Sequence, residues 1–326
     1  MTQSWTFHGG DLAAAKRHFG DCGAPWIDLS TGINPHPWPG AAEMPIDWQR
    51  LPEPGALAAL EAVAAAYFGV DPQYVCAVPG TEIGLRLAGR LIGGAAHHIA
   101  PGYRTHAAMI EASTAIGWSA LADRHGTIVF ANPGNPDGRV SDPAALRALL
   151  DRHGGDGWLL VDEAFADFDE ALSIASSIDD ARRLILFRSF GKFFGLAGVR
   201  LGFVLGPRSF LGDLRALLGA WPLSAAAIKI GTAAYADGDW IAAARRSLPV
   251  QAATLDALLS ERGYVATGDC PLFRLIRTNR AHDLFYRLAR RAILTRPFAD
   301  APQWLRIGLP TGDAALARLR AALADG

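Results

Sequence analysis

The segment Ser189-Phe190-Gly191-Lys192-Phe193-Phe194-Gly195-Leu196-Ala197-Gly198-Val199-Arg200-Leu201-Gly202 holds the residues best suited to chemistry. The chain has 31 lysines and arginines, yet only Lys16, Lys192 and Lys229 are lysines. Arginine serves almost everywhere that a plain positive charge is enough. A lysine kept in a glycine-rich, apolar setting therefore needs a reason that arginine cannot meet. Amine chemistry is such a reason: a lysine loses its proton and condenses with an aldehyde, whereas a guanidinium stays protonated. Desolvation by Phe193, Phe194 and Leu196 favours the neutral, reactive amine. Ser189 offers a hydroxyl and Arg200 a planar fork to an anion. Gly191, Gly195, Gly198 and Gly202 allow tight turns and close backbone approach to a ligand.

Ser-x-x-Lys, then glycines, then an arginine is what a lysine that holds pyridoxal 5'-phosphate (PLP) requires: the amine meets the aldehyde while hydroxyl and guanidinium hold the phosphate ester. Four further motifs fall where apolar, strand-like runs end, the place where open α/β sheets bind ligands. Trp158–Val161 runs into Asp162-Glu163-Ala164-Phe165, and a carboxylate leaving a buried strand needs a partner; a protonated pyridine nitrogen is one, a salt bridge another. Thr127–Ala131 leads into Asn132-Pro133-Gly134-Asn135, a strong turn signal whose Asn135 amide suits a phenolic ring oxygen. Tyr74–Pro79 leads into Gly80-Thr81-Glu82 and a helix, and helix-terminal N–H groups with the Thr81 hydroxyl suit a phosphate as well as a plain cap. His97–Ala100 leads into Pro101-Gly102-Tyr103-Arg104-Thr105-His106, where Tyr103 or His106 is placed to stack on a ring.

These motifs need a scaffold, and 326 residues that are half hydrophobic are ample for one. The net charge of -1 with no basic stripe argues against a nucleic-acid partner. Three scattered cysteines, Cys22, Cys76 and Cys270, form no metal cluster and suit a reducing compartment. Polar Met1–Gly10 does not read as a signal peptide, and apolar runs are broken before they reach membrane-spanning length, so a cytoplasmic protein without membrane contact is expected. Thr81–Ile92 and Leu146–His153 read as helices between the strand-like runs, which also include Leu184–Arg188 and Leu201–Leu205. This alternation predicts an α/β domain with a largely parallel sheet. Beyond Arg208, Leu272–Arg277 (strand), Ala281–Arg291 (helix), Trp304–Ile307 (strand) and Asp313–Leu323 (helix) predict a smaller α+β unit. The Pro-rich stretch around Asn34-Pro35-His36-Pro37-Trp38-Pro39 excludes a long helix and reads as an arm on that unit. The expected boundaries are 46–207 for the large domain, with 1–45 and 208–326 forming arm and small domain.

In order and spacing, Gly-Thr-Glu, Pro-Gly-Tyr, Asn-Pro-x-Gly, Asp-Glu-Ala-Phe and Ser-x-x-Lys…Gly-x-Arg-x-Gly resemble the fold-type I PLP enzymes of the class I/II aminotransferase superfamily over nearly the whole chain. The resemblance implies a large PLP-binding domain with a mostly parallel seven-stranded sheet, and a homodimer. It implies Lys192 as Schiff-base lysine, Asp162 as pyridinium partner, Asn135 on the ring oxygen, Tyr103 against the ring, and Gly80, Thr81, Ser189 and Arg200 on the phosphate. Trp304-Leu305-Arg306-Ile307-Gly308 resembles the strand whose arginine grips the substrate α-carboxylate.

His8-Gly9-Gly10-Asp11 and Asp28-Leu29-Ser30-Thr31-Gly32-Ile33-Asn34-Pro35 resemble the opening of the L-threonine-O-3-phosphate decarboxylases of cobalamin biosynthesis, relatives of histidinol-phosphate aminotransferase. Phe165, where the aminotransferases carry tyrosine, agrees. So does Leu294-Thr295-Arg296, which implies Arg296, with His8 and Asn34, around the substrate phosphate. The implied reaction is decarboxylation to 1-amino-2-propanol O-2-phosphate. Transamination by a histidinol-phosphate aminotransferase or a relative needs the same cofactor residues, and a non-catalytic PLP-fold binding protein is a remoter alternative. One departure is Arg50-Leu51-Pro52, where relatives carry a tyrosine that reaches the neighbouring subunit's cofactor phosphate; Leu51 cannot donate that bond.

Overall fold

The computed structural model describes residues 9–20, 22–153, 155 and 157–324. The chain divides into two compact units: Pro37–Asn135 with Val140–Arg245, and Met1–His36 with Pro136–Arg139 and Arg246–Gly326.

The larger unit is built on a seven-stranded sheet, its strands labelled here in chain order: β1 (Val75–Val78), β2 (Ala95–Ile99), β3 (Ala112–Ile116), β4 (Thr127–Ala131), β5 (Leu159–Asp162), β6 (Leu184–Ser189) and β7 (Gly202–Leu205). The spatial order is β1-β7-β6-β5-β4-β2-β3. Every neighbouring pair is parallel except those made by β7, which runs against β1 and β6. Strands β4 and β5 are buried at every position, as expected where helices cover both faces of a parallel sheet. Strand β3 gives no apolar signal because it is an edge strand, Ala-Ser-Thr-Ala-Ile, with mostly exposed side chains.

The helices Thr81–Ile92 and Arg208–Leu218 present Leu85, Ala88, Phe210, Leu211 and Leu214 to the sheet, where they join Val78, Val129, Leu160, Ile185, Phe187 and Val204 in one buried cluster. Each large apolar side chain buried in this way contributes roughly 1.5–3 kcal/mol. That packing moves the boundaries expected from the sequence. Arg208–Leu218 and Ala225–Ala236 belong to the larger unit, and the division falls at Arg245, inside the helix Gly238–Glu261.

The smaller unit holds a four-stranded antiparallel arrangement in the order Arg296–Pro297, Trp304–Gly308, Phe273–Arg277, Ala266–Thr267. The N-terminal segment is part of this unit: Ile27–Asp28 pairs in parallel with Ile293–Leu294, and the Leu29 carbonyl accepts from the Gly308 N–H. No helix among the described residues is long and apolar enough to cross a membrane.

Candidate active site

The sheet of the larger unit sorts the polar residues into a row. Gly202, the first residue of β7, lies opposite both Val78 at the end of β1 and Ser189 at the end of β6. Gly80 and Thr81 follow β1, and Arg200 precedes β7, so these residues gather with Ser189 at one edge of the sheet. Gly80 has φ +84°, a conformation open to glycine, and a methyl group added there would collide with the Arg200 guanidinium. A methyl group on Gly202 would come within 2.7 Å of the Thr81 amide nitrogen. Gly80 is the N-cap of the helix Thr81–Ile92, and no side chain caps that terminus. Amides at a helix N-terminus, a hydroxyl and a guanidinium are groups that can hold an anion such as a phosphate.

Further along the row, β5 ends at Asp162, which is buried. Its Oδ1 accepts from the Ala164 N–H at 3.1 Å, and its Oδ2 lies 3.0 Å from Nε2 of His106. His106, the alternative to Tyr103 for stacking on a ring, is buried as well and backs the carboxylate. Tyr103 remains half-buried beside it, edge-on to the imidazole at 5.6 Å between centroids. Asn135 follows β4 and is also half-buried, at the point where the chain leaves the larger unit. The fully buried Asn132 fixes the start of that loop, accepting from the Ser141 N–H at 2.8 Å.

Lys192 lies in the short helix Phe190–Phe193 that follows β6. It is half-buried, whereas Lys16 and Lys229 are exposed. The phenylalanines expected to desolvate it anchor its turn: Phe194 stacks between Phe190 and Trp240, with centroids 4.7 and 5.4 Å away, and Phe193 meets Trp240 edge-on. The ring that the lysine amine faces is Phe165, with Nζ 5.5 Å from its centroid.

Beneath this row lies a charged network that sequence reasoning missed. Arg188 on β6 is 2% exposed and donates to Glu163 at 2.9 Å and to Asp167, both fully buried. Burial alone would lower the Arg188 pKa, but the charges of Asp167 and Glu163 outweigh it and push it up. Arg245 donates to the Asp167 carbonyl and to the Tyr67 hydroxyl, at 3.0 and 3.2 Å. Twenty-one to 178 residues separate these partners along the chain, so no local pattern announces them.

In the smaller unit, Arg296 and Arg306 are direct cross-strand partners and both are buried. Arg306 donates to the Ser30 carbonyl at 3.0 Å and lies over the Phe273 ring, 4.8 Å from its centroid. Burial lowers its pKa to about 10, although Cys270 and Asp28 work in the opposite direction. Asn34 is buried in the same unit and accepts from the His36 N–H at 3.0 Å. His8 lies outside the described residues. Leu51, in contrast, is 64% exposed on the larger unit.

The chain belongs to the class I and II aminotransferase family, whose sequence pattern matches residues 25–323. Within it, two similar proteins bear one name. A threonine-phosphate decarboxylase from a Sinorhizobium species is 40% identical over 97% of this chain and 97% of its own. That of Pseudomonas aeruginosa is 39% identical over 97% and 96%. Among solved structures, histidinol-phosphate aminotransferase from Sinorhizobium meliloti in complex with pyridoxal-5'-phosphate superposes with a TM-score of 0.84 at 19% identity, covering 96% of this chain and 94% of that one.

Proposed function

We propose that this protein is a PLP-dependent lyase that decarboxylates L-threonine O-3-phosphate to (R)-1-amino-2-propanol O-2-phosphate and carbon dioxide, a step of cobalamin biosynthesis. One observation carries the choice of substrate: two buried arginines face each other across adjacent strands, in a chain about 40% identical to threonine-phosphate decarboxylases over nearly its whole length. A substrate with a carboxylate and a phosphate offers an anion to each of these two guanidinium groups. Arg306 grips the carboxylate through its fork, and Arg296, with Asn34 and His8, takes the phosphate.

The chemistry of the donors fits PLP. The cradle of Gly80, Thr81, Ser189 and Arg200 takes the cofactor phosphate, Asn135 its ring oxygen, and Tyr103 one face of the ring. Bound PLP supplies an aldehyde for an amine and a ring that accepts the electron pair left when the bond from Cα to the carboxylate breaks. Asp162, held in place by His106, would offer its carboxyl group to a protonated ring nitrogen. Lys192 would hold the aldehyde, and its Nζ is the group that would bring a proton to Cα.

A second copy of the chain covers part of the larger unit, where Trp48, Leu51 and Trp221 are all more than half exposed. The working compartment is the cytoplasm.

Product analysis tests the reaction. With L-threonine phosphate, aminopropanol phosphate and carbon dioxide form in equal amounts and no keto acid is needed. Turnover that requires a keto acid would make the protein an aminotransferase instead.

A further inference from the structure

We infer that Glu82, which has no part in the chemistry above, is a positioning residue that ties the phosphate cradle to the ring-stacking segment. The inference rests on the PLP reading and adds a residue to it. Glu82 is the second residue of the helix Thr81–Ile92, next to Thr81 of the cradle. An acid in a first helical turn usually turns back to the helix's own N–H groups. Here it is drawn sideways. Its Oε2 accepts from the Tyr103 hydroxyl at 2.9 Å and from the Thr105 hydroxyl at 2.7 Å, and its Oε1 accepts from Nε of Arg86 at 2.6 Å.

Two consequences follow. The helix terminus keeps no side-chain cap, so Glu82 does not compete with an incoming phosphate for its first amides. The Tyr103 ring is fixed at its hydroxyl end by Glu82 and along its edge by His106, the imidazole that backs Asp162. One carboxylate thus sets the distance between the phosphate anchor and the ring face. Geometry is the argument, and the ionisation agrees with it. Burial alone would raise the Glu82 pKa, but the hydrogen bonds from Thr105, Tyr103 and Arg86 overcome it and hold the carboxyl below its ordinary value. As an anion it accepts from both hydroxyls at full strength.

The test compares Glu82→Gln, Tyr103→Phe and the double variant in their affinity for PLP and in the visible circular dichroism of the bound cofactor. Both readouts report cofactor placement, which a merely stabilising role would leave unmoved. Each single variant weakens PLP about tenfold to a hundredfold, the range for a hydrogen bond to a charged group, and changes the dichroic band. The double variant is no weaker than the weaker single one, because both substitutions break the same tie. Glu82→Gln with wild-type affinity and an unchanged band overturns the inference, as do losses that simply add. Should Glu82→Gln fail to fold, Tyr103→Phe keeps the ring and loses only the hydroxyl, and a wild-type band there overturns it as well. Wild-type protein that takes up no PLP, with no borohydride-trapped adduct on Lys192, overturns the cofactor reading together with this one. Uptake by wild type with an unaltered Glu82→Gln removes this one alone.

Discussion

Arg188 and Arg306 are both buried, yet their pKa values move in opposite directions. In the larger unit, Arg188 donates to two buried carboxylates, Glu163 and Asp167, and its pKa rises. In the smaller unit, Arg306 donates to a backbone carbonyl, lies over Phe273, and faces a second arginine across the sheet; its pKa falls to about 10. The first charge is neutralised by the fold itself. The second is stabilised less by its surroundings than water would stabilise it, and an anion that arrives there is correspondingly welcome. Two buried carboxylates make Arg188 a structural joint, whereas Arg306 is the one proposed to meet a ligand.

The largest effect expected from this contrast is on folding. Arg188→Met leaves Glu163 and Asp167 buried without their cation and destabilises the protein by about 3–5 kcal/mol, read as a shift of the denaturant midpoint. A midpoint shift of under about 1 kcal/mol would show that the network is not structural. Arg306→Met reverses the pattern: the denaturation midpoint hardly moves, while KM for L-threonine phosphate rises about tenfold to a hundredfold, the worth of one charged hydrogen bond. A large stability loss with unchanged KM would make Arg306 a second Arg188. Arg296→Ala sharpens the comparison further, because it removes the like charge opposite Arg306 as well as a phosphate contact. KM rises about tenfold with kcat nearly unchanged, and the increase is smaller for a substrate analogue without phosphate. The smallest effect concerns the thiols. Burial pushes both Cys76, in the larger unit, and Cys270, in the smaller one, up to about 12, so neither forms thiolate near neutral pH. A thiol reagent titrates the exposed Cys22 alone in native protein and all three cysteines after unfolding. Two or more fast-reacting thiols in the native protein would show that one of the two units opens.

Much of the scaffold can be read directly from the chain. Thr127–Ala131 appears as a strand and Thr81–Ile92 as a helix at the positions expected from the pattern, because apolar period and turn chemistry are local signals. Ala112–Ile116 is not legible, since an exposed edge strand of small and polar residues carries no such signal. The helices Arg208–Leu218 and Ala225–Ala236 are readable as helices, but their allegiance to the larger unit depends on what their apolar faces meet.

For the site, the sequence alone determined which chemistry was available: one lysine set among glycines, an acid at a strand end, and a hydroxyl and arginine to hold an anion. It could do so because residue type and spacing fix functional groups. Only the tertiary structure decided what each group touches. His106 met Asp162, 56 residues away, Glu82 met Tyr103 and Thr105, and Arg296 came to face Arg306. The order of strands in a sheet and the register between them bring distant residues together, and neither is encoded in any short stretch of chain.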